Sequence, residues 1–234
     1  MKYLEFANHV QANKTEHTVV VSDLSPSMAE EDLKPSRKVA AIKAFHELVK
    51  IKDKYHPQDK MAVIGFYDIA EVLHNLVTIG DNFNSLQMAF SGKDGGYGTD
   101  FNAALELAES CLFNQPVKAN NGFFLQMLTG IFIEPDSPKA NIPDDANVIR
   151  RIIMLTDGEH NGGGNPVDVA RNLKSAGVII DCIGIGGSPE AVDEELLKQI
   201  ASANSDGSKR YCFIGDQQQL IQKYQSLAHH IQIV

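Results

Sequence analysis

The sequence contains little cysteine and no excess of positive charge. Its three cysteines, Cys111, Cys182 and Cys212, show no CxxC spacing, and their odd number fits no closed disulfide framework. The formal net charge is −9 at pH 7, whereas a nucleic-acid-binding protein needs a basic face. We therefore expect free thiols, a reducing compartment and no nucleic-acid partner.

Long apolar runs are also missing. No stretch reaches the roughly 18 apolar residues of a membrane span, and the opening MKYLEFANHV lacks the apolar core of a signal peptide. No Pro/Gly/Ser-rich linker divides the 234 residues. These absences predict a soluble, cytoplasmic protein without a membrane partner, with a single domain over residues 17–234. Residues 1–16 are polar and aperiodic, which predicts an N-terminal tail, with a short edge strand as the alternative.

Apolar strands alternate with amphipathic helices along most of the chain. The predicted strands span residues 18–22, 60–67, 71–79, 148–155, 178–185 and 210–214, and the predicted helices span 34–54, 84–90, 101–113, 166–176, 188–203 and 217–229. The second and third strands are too close in sequence for a crossover helix, so we expect them to be antiparallel at the sheet edge. The pattern predicts an α/β fold: a doubly wound, mostly parallel six-stranded sheet with one antiparallel edge strand and helices on both faces.

The segment 114–146 does not fit this alternation. It contains GFFLQMLTGIFIE followed by a polar, proline-bearing stretch, and it is too long for an ordinary connection. Two interpretations remain open: an extra helix or hairpin packed on the domain edge, or a partner-binding insertion near the functional site.

Oxygen-bearing side chains follow the predicted strands at three places. Asp23, Ser25 and Ser27 come directly after the first apolar run, Thr99 lies in the glycine-rich stretch SGKDGGYGTD, and Asp157 follows the fourth strand. Parallel α/β sheets place their ligands beyond the carboxyl ends of the strands, so we expect these loops to meet. Hydroxyl and carboxylate oxygens suit Mg²⁺ or Mn²⁺. The sequence therefore predicts a divalent-cation site.

Four neighbouring residues have two interpretations each. Asp100 is either a second-shell acceptor near the cation or the cap of the following helix. Asp68 either accepts a hydrogen bond from site water or simply ends its strand, and Glu159 and His160 lie either at the rim of the site or in a solvated loop. The histidines show no HExxH or paired spacing, which argues against a zinc site.

The three motifs together resemble the von Willebrand factor A domain family and its metal-ion-dependent adhesion site. DLSPSM matches the DxSxS motif, GTDFNAALELA resembles the threonine loop and its helix, and IIMLTDGEHNGG resembles the aspartate strand and loop. The resemblance covers roughly residues 17–230 and is that of an intracellular or bacterial-type member with a Rossmann-like fold. It implies that Asp23, Ser25, Ser27, Thr99 and Asp157 hold Mg²⁺ or Mn²⁺. The chain departs from the family at Pro26, where glycine is usual, and in the insertion at 114–146.

The resemblance also implies a function. We expect a non-catalytic protein-binding module whose bound cation is ligated by an acidic residue of a partner protein. An alternative is an accessory subunit of an AAA-type ATPase machine, and a less favoured one is a metal-dependent hydrolase. The DLSPS stretch has no adjacent lysine or histidine to activate a nucleophile, and no GxxxxGK[ST] phosphate loop is present.

Overall fold

The computed structural model describes residues 14–113 and 147–229. Within these ranges the strands are β1 (Thr15–Asp23), β2 (Lys60–Phe66), β3 (Ala70–Thr78), β4 (Val148–Thr156), β5 (Val178–Ile185) and β6 (Tyr211–Ile214). They form one sheet in the order β3-β2-β1-β4-β5-β6. All neighbours are parallel except β2 and β3, which are antiparallel at one edge. The predicted fold class is confirmed.

Helices cover both faces of this sheet. They are α1 (Arg37–Tyr55), α2 (Ile79–Gln87), α3 (Phe101–Phe113), α4 (Pro166–Ser175), α5 (Glu194–Ile200) and α6 (Gln217–Leu227). One buried cluster joins the sheet to α1, α2 and α6, and a second joins it to α3, α4 and α5. Adjacent residues of β1 divide between the two clusters: Val20 belongs to the first, and Val19 and Val21 to the second. A continuous valine run therefore suits this central strand, because both of its faces are buried.

The first strand begins earlier than the sequence predicted. It starts at Thr15 and pairs there with Val148, so Thr15 and Glu16 belong to the sheet and not to a tail over residues 1–16. Glu16 is fully buried, which the polar composition of this stretch does not indicate. Residues 1–13 and the predicted insertion at 114–146 lie outside the described residues.

Three helix predictions need correction. Helix α1 begins at Arg37, with the Ser36 side chain accepting a hydrogen bond from the Val39 amide, so Pro35 lies outside its first turn. Helix α2 begins at Ile79, five residues before the predicted start at Asn84.

The predicted helix 188–203 is two elements. A 3₁₀ turn at Pro189–Ala191 ends at an extended Val192, and α5 then starts with its own cap, Asp193. Val192 is buried against the sheet, and this anchoring separates the two pieces.

All three cysteines are free thiols, as predicted, and Cys182 is buried in β5. No helix in residues 14–113 and 147–229 has both the length and the apolar character needed to cross a membrane.

Oppositely charged side chains are in contact with one another near the amino ends of the central strands. The Lys52 ammonium lies 2.9 Å from Glu16 Oε1 and 2.8 Å from Asp59 Oδ2, and all three side chains are essentially buried. Arg151 Nη1 lies 3.7 Å from Glu16 Oε1, while its Nε donates to Asp181. Buried ions of this kind are tolerated because each faces an opposite charge.

Replacing Lys52 by methionine tests this arrangement. We expect Lys52→Met to lower the free energy of unfolding by about 3–5 kcal/mol, because two buried carboxylates lose their ammonium partner. Urea denaturation measures the change. The control is Lys50→Met on the same helix, whose side chain is 68% exposed and which should alter stability by no more than about 0.5 kcal/mol. Equal effects in the two variants would contradict the ion-pair account.

Candidate functional site

The buried end of β1 supplies the first candidate ligand. Asp23 is the last residue of β1 and is completely buried. Its Oδ1 accepts a hydrogen bond of 2.8 Å from the Ser25 amide, and its Oδ2 accepts one of 2.7 Å from Thr156 Oγ1. Thr156 ends the neighbouring strand β4, so this carboxylate joins two strand ends that are 133 residues apart.

The two serines of the first loop lie next to each other. Ser25 Oγ is 3.0 Å from Ser27 Oγ, and Ser27 Oγ donates to Asp157 Oδ1 at 2.9 Å. Pro26 begins a 3₁₀ turn, Pro26–Ala29. Proline is well tolerated there because the first helical position has no amide partner to lose. The unusual proline therefore shapes the loop without separating the hydroxyls.

Arg37 contacts the candidate site, which the sequence analysis did not predict. It is the first residue of α1 and is 5% exposed. Its Nη1 donates to Asp157 Oδ2 at 2.8 Å, and its other nitrogens pair with Glu30 (2.7 Å) and Asp32 (2.9 Å to Oδ1). One carboxylate oxygen of Asp157 therefore accepts from a serine hydroxyl, and the other accepts from a guanidinium.

The glycine-rich loop approaches the first loop through its backbone. The Gly95 amide donates to the Leu24 carbonyl at 3.1 Å, and a Cβ on Gly95 would lie only 2.3 Å from that oxygen. Gly98 has φ +91°, and a Cβ there would meet the Cβ of Asp68 at 3.0 Å. These two positions require glycine because the chain passes so close and turns so sharply.

This loop delivers Thr99 to the aspartate loop. The Thr99 amide donates to Asn161 Oδ1 at 2.7 Å, and the Asn161 amide returns a bond to the Thr99 carbonyl at 3.0 Å. Thr99 is 5% exposed, and its hydroxyl oxygen lies 3.4 Å from where a Cβ on Gly158 would be. The structure thus places the threonine hydroxyl beside the residue that follows Asp157.

The two further carboxylates near the glycine-rich loop have other surroundings. Asp100 Oδ1 accepts from the Ala103 amide at 3.0 Å, so it caps the first turn of α3. Asp68 is exposed in the β2–β3 turn, against Gly98. A second-shell role for either residue stays a prediction.

The aspartate loop carries Glu159 and His160. Glu159 is exposed. His160 Nδ1 accepts from the Phe101 amide at 3.2 Å, and its ring stacks on Phe101 with centroids 5.4 Å apart. The geometry gives His160 a structural role in holding α3 against this loop, and Glu159 stays a predicted rim residue.

Three contributors to the site were not found from the sequence: Thr156, Arg37 and Asn161. Thr156 had a signal in its position next to Asp157 at the strand end. Arg37 falls inside a predicted helix 14 residues after Asp23, and nothing in its spacing indicates that it reaches a residue 120 positions away.

Burial and nearby negative charge disfavour the ionised forms of Asp23 and Asp157. Burial, followed by the charge of Asp157, raises the pKa of Asp23 to about 6 despite its hydrogen bonds. Burial also raises the pKa of Asp157, although hydrogen bonds from Arg37 and Ser27 partly oppose this. Hydrogen bonds to Asp32 and Asp157 raise the pKa of Arg37, against the effect of burial.

The donor set fits a hard divalent cation. Two carboxylates and hydroxyl groups meet at the carboxyl ends of β1 and β4, and such oxygens are the ligands that Mg²⁺ and Mn²⁺ accept. In the described part of the chain, no group of three or more His, Cys, Asp or Glu side chains is arranged to hold a metal. A cation at this place would therefore depend on hydroxyls as much as on carboxylates.

The raised pKa of Asp23 predicts a pH-dependent difference between the metal-free protein and Asp23→Asn. The folded pKa of about 6 exceeds the unfolded value of 3.8, so the folded state binds more protons and its stability falls as pH rises through this window. An asparagine does not ionise. In EDTA we expect the variant to gain on the order of 2–3 kcal/mol relative to wild type between pH 4 and pH 7.5, measured by urea denaturation. A constant difference would argue against the shift.

Known structures resemble this chain in fold. Proximal thread matrix protein 1 from the mussel byssus matches with a TM-score of 0.64 and 17% identity, over 92% of this chain and 48% of that one. A von Willebrand factor type A protein from Catenulispora acidiphila gives 0.63 and 18%, over 92% and 42%. The chain thus spans less than half the length of these two proteins. BatB from Bacteroides thetaiotaomicron gives 0.59 and 20%, over 92% and 98%. No curated protein matches the sequence significantly.

Family models give the clearest assignment. One model described as von Willebrand factor type A domain matches residues 18–160, which is more than half of the chain. A second model with the same description matches residues 131–226. One mussel structure, 16% identical over 92% of this chain and 47% of that one with a TM-score of 0.64, is described with a zinc-occupied MIDAS motif. The fold and the sequence matches together show that this chain belongs to the von Willebrand factor type A domain family.

Proposed function

We propose that this domain is a non-catalytic, cation-dependent protein-binding module. Asp23, Ser25, Ser27, Thr99 and Asp157 would hold Mg²⁺ or Mn²⁺, which would supply an electrophilic centre for one carboxylate oxygen of a partner protein. The observation that carries the proposal is the contact of the Ser27 hydroxyl with both Ser25 Oγ (3.0 Å) and Asp157 Oδ1 (2.9 Å). The partner's identity, including an AAA-type ATPase, stays a prediction.

The hydrogen bonds at the site favour ligand binding over catalysis. The hydroxyls of Ser25 and Ser27 contact each other and the carboxylates of Asp23 and Asp157. Within the described residues, neither hydroxyl forms a hydrogen bond with a histidine or lysine base. His160, on the loop that carries Asp157, uses Nδ1 to accept a hydrogen bond from the Phe101 amide. A nucleophilic serine needs an activating base within hydrogen-bond reach.

Arg37 offsets part of the negative charge that Asp157 brings to the site. Its guanidinium pairs with Asp157 Oδ2 at 2.8 Å and with Glu30 and Asp32, so a cation meets an aspartate that already has a positive neighbour. Like charges close together oppose each other. Arg37 would therefore position Asp157 and weaken cation binding, leaving room for a carboxylate from the partner to strengthen it.

Exposed apolar side chains lie on the loops around the site. Tyr97 is 85% exposed, two residues before Thr99, and Ile69 in the β2–β3 turn is 52% exposed. The backbone around Tyr97 is anchored, because Gly95 bonds to Leu24 and Thr99 bonds to Asn161. An exposed tyrosine on a hydrogen-bonded backbone is a typical anchor for a protein partner.

Partner capture from native lysate tests the proposal. We expect the wild-type protein to retain a partner in Mg²⁺ but not in EDTA, and Asp23→Ala to lose it in both buffers because the cation is not held. Tyr97→Ala should retain less partner while its stabilisation by Mg²⁺ stays unchanged. The measurement is quantitative mass spectrometry of the retained proteins.

Asp81→Ala is the matched control for this experiment, since Asp81 is exposed in the first turn of α2, outside the site. It should behave like wild type. A partner that wild type and Asp23→Ala retain equally with and without chelator would overturn the cation-bridged model.

Mg²⁺ titration separates the role of Arg37 from that of the ligands. We expect saturating Mg²⁺ to stabilise the wild-type protein, by about 2.7 kcal/mol at a hundredfold excess over Kd, because it binds only the folded state. Arg37→Gln should bind Mg²⁺ about tenfold more tightly, since a like charge is removed, yet be less stable in EDTA. Calorimetry gives Kd and urea denaturation gives stability.

Two variants complete this titration. Arg37→Lys keeps the positive charge and should stay close to the wild-type Kd. Asp157→Ala should show no stabilisation by Mg²⁺. Weaker Mg²⁺ binding in Arg37→Gln would show that the arginine assists the cation and would refute the competition described above.

A further inference from the structure

A cavity of about 320 Å³ lies away from the candidate cation site, at the other end of the sheet. It is bordered by Arg151 in β4, Asp181 in β5, the segment before β6 and the end of α6. Arg151 precedes Asp157 by six residues on an extended strand, which separates the two places by about 20 Å at ~3.3 Å per residue. The cavity is therefore distinct from the site formed by Asp23 and Asp157.

The cavity wall is strongly cationic. Among the described residues, its charged lining consists of one carboxylate and the side chains of Arg151, Lys209, Arg210 and Lys223, with His229 beside them. This is unusual in a chain whose formal net charge is −9. An anion entering here would find a local field opposite in sign to that of the whole protein.

The carboxylate on this wall, Asp181, already accepts hydrogen bonds from two arginines. Asp181 Oδ2 accepts from Arg151 Nε at 2.8 Å, and Asp181 Oδ1 accepts from Arg210 Nε at 3.0 Å. Arg151 also donates through Nη1 to the Leu227 carbonyl at 2.8 Å, and Arg210 Nη1 donates to Asn204 Oδ1 at 2.9 Å. Both guanidinium groups are thus held in place, Arg151 at 1% exposure and Arg210 at 17%.

Two lysines add charge that Asp181 does not balance. Lys209 is exposed and Lys223 half-buried, and within residues 14–113 and 147–229 neither forms an ion pair. Asn204 and Ser226 line the same wall, where the Asn204 amide donates to Ser208 Oγ at 2.9 Å and the Ser226 hydroxyl donates to the Lys223 carbonyl at 2.7 Å. Guanidinium groups held in place, together with ammonium groups that have no ion-pair partner among the described residues, are the usual recognition set for a phosphate oxygen.

We propose that this cavity binds a small molecule carrying a pyrophosphate or comparable phosphate group. The volume falls at the lower end of the range for ligand pockets and exceeds what one phosphate needs. Two unbalanced lysines at the mouth match a multiply charged anion better than a single carboxylate. The partly exposed Arg210, held by Asp181 and Asn204, would give the ligand a fixed contact, the buried Arg151 adds positive charge behind it, and the lysines supply attraction from solution.

Pyrophosphate is the probe for this site, used with the full chain in EDTA so that it cannot bind through a divalent cation. We expect saturable binding by calorimetry at constant ionic strength, with a rise in Tm that follows the same Kd. The double variant Lys209→Gln/Lys223→Gln should weaken binding about tenfold, which corresponds to about 1.4 kcal/mol. Amide chemical-shift changes should centre on Asn204, Ser226 and His229.

The matched control is Lys50→Gln/Lys60→Gln, which removes the same charge from lysines outside the cavity wall. It should keep the wild-type Kd within twofold. Absence of saturable binding up to about 10 mM pyrophosphate, or an equal loss in both double variants, would overturn the proposal. Shift changes confined to the loops around Asp23 and Asp157 would do the same.

Discussion

The pairing of β1 with β4 is the constraint on which the candidate site depends. These two strands run in parallel from Thr15 beside Val148 to Ser22 beside Leu155. Because the register is parallel, the residues that follow both strands emerge at the same edge of the sheet. The hydrogen bond from Thr156 Oγ1 to Asp23 Oδ2 closes this edge, and Ser27 then reaches Asp157. A shift of one residue in register would turn Asp23 and Thr156 away from each other.

The site that results is built around two aspartates in an unfavourable environment. Asp23 is enclosed by backbone and a threonine hydroxyl, with its charge opposed by burial and by Asp157. Asp157 has a stronger counter-charge in Arg37, which in turn contacts Glu30 and Asp32 in the loop that follows the serines. The two carboxylates therefore differ: one lacks a formal positive partner among the described contacts, and the other has one. This asymmetry distinguishes the chain from a simple cage of oxygen ligands.

The periodicity of the sequence predicted the sheet well because the strands are short, apolar and bounded by turn residues. Val19 to Val21, for example, is an apolar run typical of a strand buried on both faces, and all three residues are buried. Element boundaries were less predictable where long-range contacts decide them. Thr15 and Glu16 look like a polar tail, yet Glu16 is buried because Lys52 and Arg151 come from elsewhere in the chain to meet it. Likewise, the burial of Val192 interrupts what reads as one helix.

The sequence by itself determined the fold class and the three loops that carry the candidate ligands, because these depend on local patterning and on the rule that parallel strands end at one edge. Only the tertiary structure decided which side chains form hydrogen bonds with the carboxylate oxygens and with the loops that carry them. Arg37 is bound to Asp157 across 120 residues, Asn161 fixes Thr99 across 62, and Arg151 in β4 and Arg210 before β6 both bind the carboxylate of Asp181. Side-chain contacts between distant parts of the chain produce no periodic pattern in the sequence, since any residue of suitable length at the right place can make such a contact.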